Sequence, residues 1–436
     1  MDAAMEAFLR QGYDDFRAFV NPMVAARADL CGEPYRLAAV DDGCLVDADG
    51  RRFADFIAGW GTQAFGHRPP AIETALRRFL DGTAPSFYPS GISPYAGRLA
   101  ARLQGMTGYD AAYFVSGGTE AVEAALKLVR AATGRPRIAH VAGAYHGCTY
   151  GSVAMMQAGP YRDGFGPHLP GIVALPYGDT EALRRALDDP LLAAIVVEPV
   201  QVEAGVRVPP PGWTAQLCAG TAERGVLLVA DEIQTGLGRT GRMLCSDAWP
   251  RRPDVVTLGK ALGGGLMPLS AMLTRRSVFD RAYGGIALAE SHASTFSGNA
   301  LACVAGLAAL DLLDEECIAG VARKAALFGV ALREAVGDHP MVAAIRGEGL
   351  LLGVELRAPD HPYFDFDYLG LPELRAQPAV GLMAVHRLYK AGYLTQVCGH
   401  AWQVLRLQPP YVTPDDTLRA FAHALRDTLD DLWSLQ

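Results

Sequence analysis

The stretch Thr257-Leu258-Gly259-Lys260-Ala261-Leu262-Gly263-Gly264-Gly265 sets one amine among small residues, at the end of an apolar run over 254–258 that reads as a buried strand. Lysine occurs at only four positions, 127, 260, 324 and 390, which is first a composition bias and second a reason to notice an amine in a glycine-rich turn. Upstream, Gly225-Val226-Leu227-Leu228-Val229-Ala230 is another apolar strand, and it runs directly into Asp231-Glu232-Ile233-Gln234. A carboxylate and an amide therefore emerge at a strand's carboxyl end, the edge where open α/β sheets bind ligands. A lysine at one strand end and an aspartate at another are what pyridoxal phosphate chemistry requires. The amine forms a Schiff base with the aldehyde, and the carboxylate holds the pyridine nitrogen protonated.

Outward from this pair, strand-type and helix-type segments alternate: strands over 111–115, 137–141, 191–197, 226–230, 255–258 and 269–273, with a helical period over 120–132. Such alternation predicts an α/β fold with a mostly parallel sheet covered by helices. After a helix over 299–313 the texture changes to an amphipathic helix over 318–335, strands over 350–356 and 404–407, and a closing helix over 414–435. A boundary is expected near 315. Residues 359–379, rich in Asp, Tyr and Pro, read as an irregular insertion.

The 436 residues, half of them hydrophobic, can bury a large core, and the net charge of −8 gives no basic footprint for nucleic acid. Eight cysteines stand singly with no C-x-x-C pair, which suits reduced thiols and suggests neither a metal site nor a disulfide frame. Met1-Asp2-Ala3-Ala4-Met5-Glu6 lacks a basic leader, and no window approaches the ~18 apolar residues of a membrane span, so a cytoplasmic protein is expected.

A phosphate cradle is available where Phe114-Val115-Ser116-Gly117-Gly118-Thr119-Glu120 runs from strand through a glycine turn into a helix, although a plain tight turn would use the same glycines. Gly236-Leu237-Gly238-Arg239-Thr240-Gly241 matches the dinucleotide fingerprint and would imply an NAD(P)-dependent oxidoreductase. That fingerprint needs its first glycine directly after a strand and a helix opening from its last. Here Asp231 to Thr235 intervene, and residues 243–250 have no helical period. A P-loop at Gly259-Lys260 fails because Ala261 stands where Ser or Thr must hold magnesium.

Together with the stretches around Asp231 and Lys260, the blocks over 114–127, 144–147 (Ala-Tyr-His-Gly), 198–205 (Glu-Pro-Val-Gln-Val-Glu-Ala-Gly), 294–299 (Ser-Thr-Phe-Ser-Gly-Asn) and 406–410 (Arg-Leu-Gln-Pro-Pro) resemble the class III aminotransferases. These are fold-type I pyridoxal phosphate enzymes of the ornithine and acetylornithine type, and the likeness runs in order from about Leu45 to the C-terminus. It implies a large cofactor-binding domain over 56–315 with a seven-stranded type of sheet. A small α+β domain would cover 316–436, with residues 1–55 folding back onto it.

The resemblance implies roles residue by residue. Lys260 would be the Schiff-base lysine and then the base and acid of a 1,3-proton shift. Asp231 would pair with the pyridine nitrogen, and Gln234 with the ring's phenolic oxygen. Gly118 and Thr119 would cradle the phosphate, Tyr145 would stack on the ring, and His146 and Glu198 fall in the cofactor-binding blocks. Thr295 would reach the phosphate of a neighbouring subunit, implying a homodimer with shared sites.

For substrates, Arg406 matches the arginine that binds an α-carboxylate, Glu203 the glutamate that can neutralise it, and Trp60, Phe87 and Tyr88 the aromatic pocket. Family members that handle a second carboxylate usually carry Arg directly after the Tyr/Phe-x-Gly block, whereas Cys148 follows Gly147 here. A thiol cannot clamp a carboxylate. The expectation is an aminotransferase moving an amino group from an α-amino acid to an aldehyde or ketone with a weakly charged far end. An epimerase or aminomutase of the same fold is the alternative, and a dinucleotide-dependent oxidoreductase a more distant one.

Overall fold

The computed structural model describes residues 3–31, 37–88 and 91–435, and it divides into two compact units, 68–322 and 1–67 with 323–436. Parts of the expected N-terminal segment, residues 1–2 and 32–36, lie outside the described residues. The helix Glu315–Val336 begins at the point near 315 where the sequence texture changes.

In the larger unit seven strands form one sheet: β1 (Ala111–Val115), β2 (Arg137–Val141), β3 (Ile172–Leu175), β4 (Leu192–Val197), β5 (Leu227–Asp231), β6 (Val255–Leu258) and β7 (Ser270–Thr274). Their spatial order is β1-β7-β6-β5-β4-β2-β3. Pairings from β6 through to β3 are parallel, and β7 is antiparallel to both of its neighbours, β1 and β6. Since β7 alone is reversed, β1 to β6 all point their carboxyl ends to the same edge.

The continuous apolar runs follow from burial on both faces: every residue of β4, β5, β6 and β7 is buried. The helix Gly118–Thr133 covers one face through Ala121, Val122, Ala125, Leu128 and Val129, an i, i+3/i+4 stripe, and stops at Gly134 in the left-handed conformation, φ 68°.

The smaller unit holds two four-stranded sheets. One is the antiparallel set Val342–Glu348, Leu351–Leu356, Ala401–Leu407 and Gln396–Cys398; the other joins Leu37–Asp41, Cys44–Asp47, Arg52–Asp55 and Tyr393–Leu394. The helices Val380–Lys390 and Asp415–Trp433 bury Leu388, Phe421 and Leu425 in its core. Residues 359–379 form only two short 3-10 turns, Pro362–Phe364 and Pro372–Leu374. Among the described residues no helix is long and apolar enough to cross a membrane.

Candidate active site

Five strand ends deliver the polar residues of one cavity of about 360 Å³. β6 ends at Leu258 and supplies Lys260, β5 ends in Asp231, β4 is followed by Glu198, β2 leads to Tyr145, His146 and Cys148, and β1 leads to Gly118 and Thr119. All of these line the cavity, as do Glu203, Gln234, Val202 and Ile233.

Lys260 opens a 3-10 turn, Lys260–Gly263, with φ 47°, a left-handed conformation that costs a non-glycine residue roughly 1–2 kcal/mol. Glycine before it leaves room for the neighbouring strand, since a Cβ on Gly259 would stand 2.7 Å from Ser270 Oγ and the hydroxyl would have to move. The strained turn sends the side chain back over the strand ends, where Nζ donates to Gln234 Oε1.

Asp231 is buried at 4% exposure, so its charge needs partners. The β5–β6 register sets Asp231 opposite Thr257. Oδ1 accepts from Thr257 Oγ1 at 2.9 Å and from the Ile233 N–H at 3.2 Å; Oδ2 accepts from His146 Nδ1 at 2.7 Å. Burial would lower the His146 pKa, but the hydrogen bond to Asp231 and its charge outweigh burial and raise it. His146 Nε2 is buried without a hydrogen-bond partner among the described residues. Glu198 Oε1 accepts from the Tyr145 N–H at 2.9 Å. Burial pushes the Glu198 carboxyl up to about 8, and the nearby Asp231 charge adds to this against the opposing effect of His146. The two acids of the cavity have different surroundings: Asp231 accepts three hydrogen bonds, whereas Glu198 is buried with the Tyr145 N–H on Oε1, and burial favours its neutral form.

Tyr145 meets Tyr161 edge-on with ring centroids 6.1 Å apart, and its hydroxyl lies 3.5 Å from Cys148 Sγ. Gly147 has φ 109°, and a Cβ there would meet Thr119 Oγ1 at 2.5 Å, so the turn after His146 tolerates only glycine. At the helix start, Glu120 Oε2 accepts from the Ser116 and Gly117 N–H groups at 3.1 and 2.7 Å. The N–H groups of Gly118 and Thr119, at the first helical positions, have no intrahelical acceptor by construction and point a partial positive charge outward.

Three other residues of the larger unit singled out by sequence are not among those lining this cavity. Tyr88 packs near Tyr95 with centroids 6.4 Å apart, Phe87 is exposed, and Thr295 is exposed in a turn. Trp60 and Arg406 belong to the smaller unit. Trp60 is exposed in a left-handed turn, φ 55°, and Arg406 is buried on the strand Ala401–Leu407, where Nη2 donates to Gln396 Oε1 at 3.2 Å. Thr257, Val202 and Ile233 escaped sequence reading, because a strand register and an apolar cavity wall leave no local signal. Gly236 to Gly241 forms turns with Arg239 buried, and only the 3-10 turn Cys245–Ala248 follows. No helix opens from that glycine run to receive a pyrophosphate.

The residues suit pyridoxal phosphate. A lysine amine, a buried aspartate, an unpartnered buried imidazole nitrogen and an anion-seeking helix start converge on a space of the right order for a small cofactor. Fold and site together define an α/β enzyme built around an amine and a buried carboxylate at parallel strand ends.

The family model for class-III aminotransferases matches residues 34–429, and the chain belongs to that family, whose members depend on pyridoxal phosphate. It is 32% identical to aminotransferase PigE of Serratia sp. (strain ATCC 39006), covering 96% of this chain but only 53% of that protein, so it spans about half the length of this relative. It is 37% identical to ornithine aminotransferase of Bacillus cereus (strain Q1) over 76% of this chain and 83% of the relative. The ornithine aminotransferase structure from Toxoplasma gondii superposes with a TM-score of 0.82 at 30% identity, covering 100% of this chain and 99% of the other.

Proposed function

We propose that the chain uses pyridoxal phosphate to move an amino group from an α-amino acid to an aldehyde or ketone whose far end carries little negative charge. The carrying observation is that Lys260 and the buried Asp231 line the same cavity. When bound, the cofactor supplies an aldehyde for an amine and an electron-withdrawing pyridine ring.

The chain's residues take the other parts. Lys260 Nζ, the lining amine, would hold the aldehyde carbon, then accept a proton at Nζ and return it to the neighbouring carbon. Asp231, oriented by His146 and Thr257, would keep a proton on the ring nitrogen. The Gly118 and Thr119 N–H groups would receive the phosphate, Tyr145 would cover the ring, and Gln234 would hold both Lys260 Nζ and the ring oxygen. Glu198 would fix the backbone of Tyr145. Thr295 is exposed in the single chain, as a residue serving a second subunit's phosphate would be, and the working form would be a homodimer.

Two features support the substrate class. Cys148 lines the cavity at the sequence position of the usual arginine, and among the described residues that line it there is no arginine, while Val202, Ile233 and Tyr145 supply apolar surface. A distal carboxylate would be desolvated there without a guanidinium to clamp it. Arg406 would take the donor's α-carboxylate, with Glu203 as its partner when the second substrate lacks one.

A half-reaction screen tests the proposal: cofactor-loaded protein is mixed with each amino donor in turn, then with aldehydes, ketones and dicarboxylic keto acids, following the cofactor's absorbance. Fast return with uncharged carbonyl compounds is expected. Ornithine, γ-aminobutyrate or N-acetylornithine emerging as the best donor would overturn the distal-end argument.

A further inference from the structure

We infer that Glu123 directs a chain of hydroxyls that withholds the Thr119 hydroxyl from the cofactor phosphate and instead locks the Tyr145–Cys148 turn; Glu123 and Thr149 are positioning residues. This rests on the proposed cofactor reading and sharpens it at one corner of the cavity.

The direction follows from counting protons. Glu123 Oε1 accepts from the N–H groups of Gly151 and Ser152 at 2.8 and 3.2 Å and from Thr149 Oγ1. A carboxylate only accepts, so the single hydroxyl proton of Thr149 goes to Glu123. Thr149 Oγ1 also lies 2.6 Å from Thr119 Oγ1, and with its own proton spent it must be the acceptor there. The one hydroxyl proton of Thr119 is thereby committed to Thr149. Its oxygen in turn accepts the Thr149 N–H at 3.2 Å and lies 3.0 Å from Ser152 Oγ. A phosphate needs donors, and this hydroxyl has none left to give. The phosphate at this helix start is left to main-chain N–H groups.

The chain is also a clamp. Thr119 and Glu123 sit one turn apart on the helix Gly118–Thr133, and Thr149 directly follows Cys148. There is little slack: a Cβ on Gly147 would meet Thr119 Oγ1 at 2.5 Å, and one on Gly151 would meet Glu123 Oε2 at 2.2 Å. The clamp holds Tyr145 and Cys148 against the helix start that receives the phosphate.

Equilibrium titration of the apo chain with pyridoxal phosphate and with pyridoxal, which lacks the phosphate, separates the two roles. In Thr119→Val a lost phosphate ligand would weaken only the phosphorylated compound, by more than about tenfold for a charge-assisted bond. A lost clamp weakens both compounds by the same factor, about three- to tenfold, through the misplaced Tyr145. Glu123→Gln is expected to do the same, and Thr119→Val/Glu123→Gln to be no weaker than the worse single variant, since one network is broken once. Thr119→Ser should restore wild-type binding. If Glu123→Gln fails to fold, Gly151→Ala displaces the same carboxylate from outside the hydroxyl chain and should give the same loss. A Thr119→Val loss confined to pyridoxal phosphate, or unchanged binding of both compounds in Glu123→Gln or Gly151→Ala, overturns the inference alone. Failure of the wild-type chain to bind pyridoxal phosphate overturns it together with the proposed function.

Discussion

Two buried aspartates stand at opposite ends of the same strands and are treated differently. Asp254, fully buried just before β6 at the amino edge of the sheet, accepts the Leu228 N–H at 2.9 Å, both of its oxygens accept from Arg251 at 2.9 and 2.7 Å, and Arg275 adds a further bond. Asp231, at the carboxyl edge, has a threonine, a main-chain N–H and one histidine. Each carboxylate opens on a cleft of similar size, about 340 Å³ beside Asp254 and about 360 Å³ beside Asp231. Arginines never give up their charge, so Asp254 is saturated and its negative charge serves the fold. An imidazole can adjust its charge, which leaves Asp231 able to serve a further cation. Burial alone does not separate a structural carboxylate from a chemical one; the partner's ability to titrate does.

Exchanging the consequences is the strongest way to break this contrast. Asp231→Asn is expected to lower kcat by about 10²–10³ or more if this carboxylate pairs with the ring nitrogen as proposed, while the unfolding midpoint stays near wild type. Near-normal turnover in steady-state assays would remove Asp231 from the chemistry. Asp254→Ala should do the reverse. It leaves two partly exposed guanidiniums and the buried Leu228 N–H without their carboxylate and is expected to cost about 1–3 kcal/mol in denaturant unfolding, with kcat per folded molecule unchanged.

A smaller effect sharpens the description of the cavity wall. Cys148→Arg introduces a guanidinium at the cavity wall, and is expected to weaken an uncharged acceptor by roughly tenfold in kcat/KM while improving a dicarboxylic one. The ratio of the two values, measured side by side, is the readout.

The smallest effect concerns pH. The Glu198 carboxyl is raised from 4.5 to about 8, so between those values the folded chain holds a proton that the unfolded chain has released. Stability from this group is complete below pH 4.5 and is lost as pH rises toward about 8. Glu198→Gln should flatten that fall in the apo chain, leaving the contributions of Glu232 and His146, whose pKa values are also raised. An unchanged slope would mean that Glu198 is ionised in the fold.

Much of the carboxyl edge was legible in the sequence. An apolar run ending in Asp231 and another ending before Lys260 announce parallel strands, and strand ends in such sheets converge on one edge. Glu198, His146 and Tyr145 could be named only through resemblance, because their meeting depends on three separate crossovers. Thr257 was invisible because register is not written locally, and the left-handed Lys260 because strain of this kind is held by surrounding structure. The reversed direction of β7 was likewise unreadable: its buried run looks the same either way. The Glu123 network needs hydroxyls from two segments that only the folded chain brings together.

The central claim, that Lys260 carries the cofactor, is tested most directly by borohydride reduction of the pyridoxal phosphate-loaded chain followed by peptide mass mapping. A pyridoxyl mass is expected on the peptide containing Lys260, with no label in Lys260→Ala. A label on Lys127, Lys324 or Lys390 in place of Lys260 would contradict it.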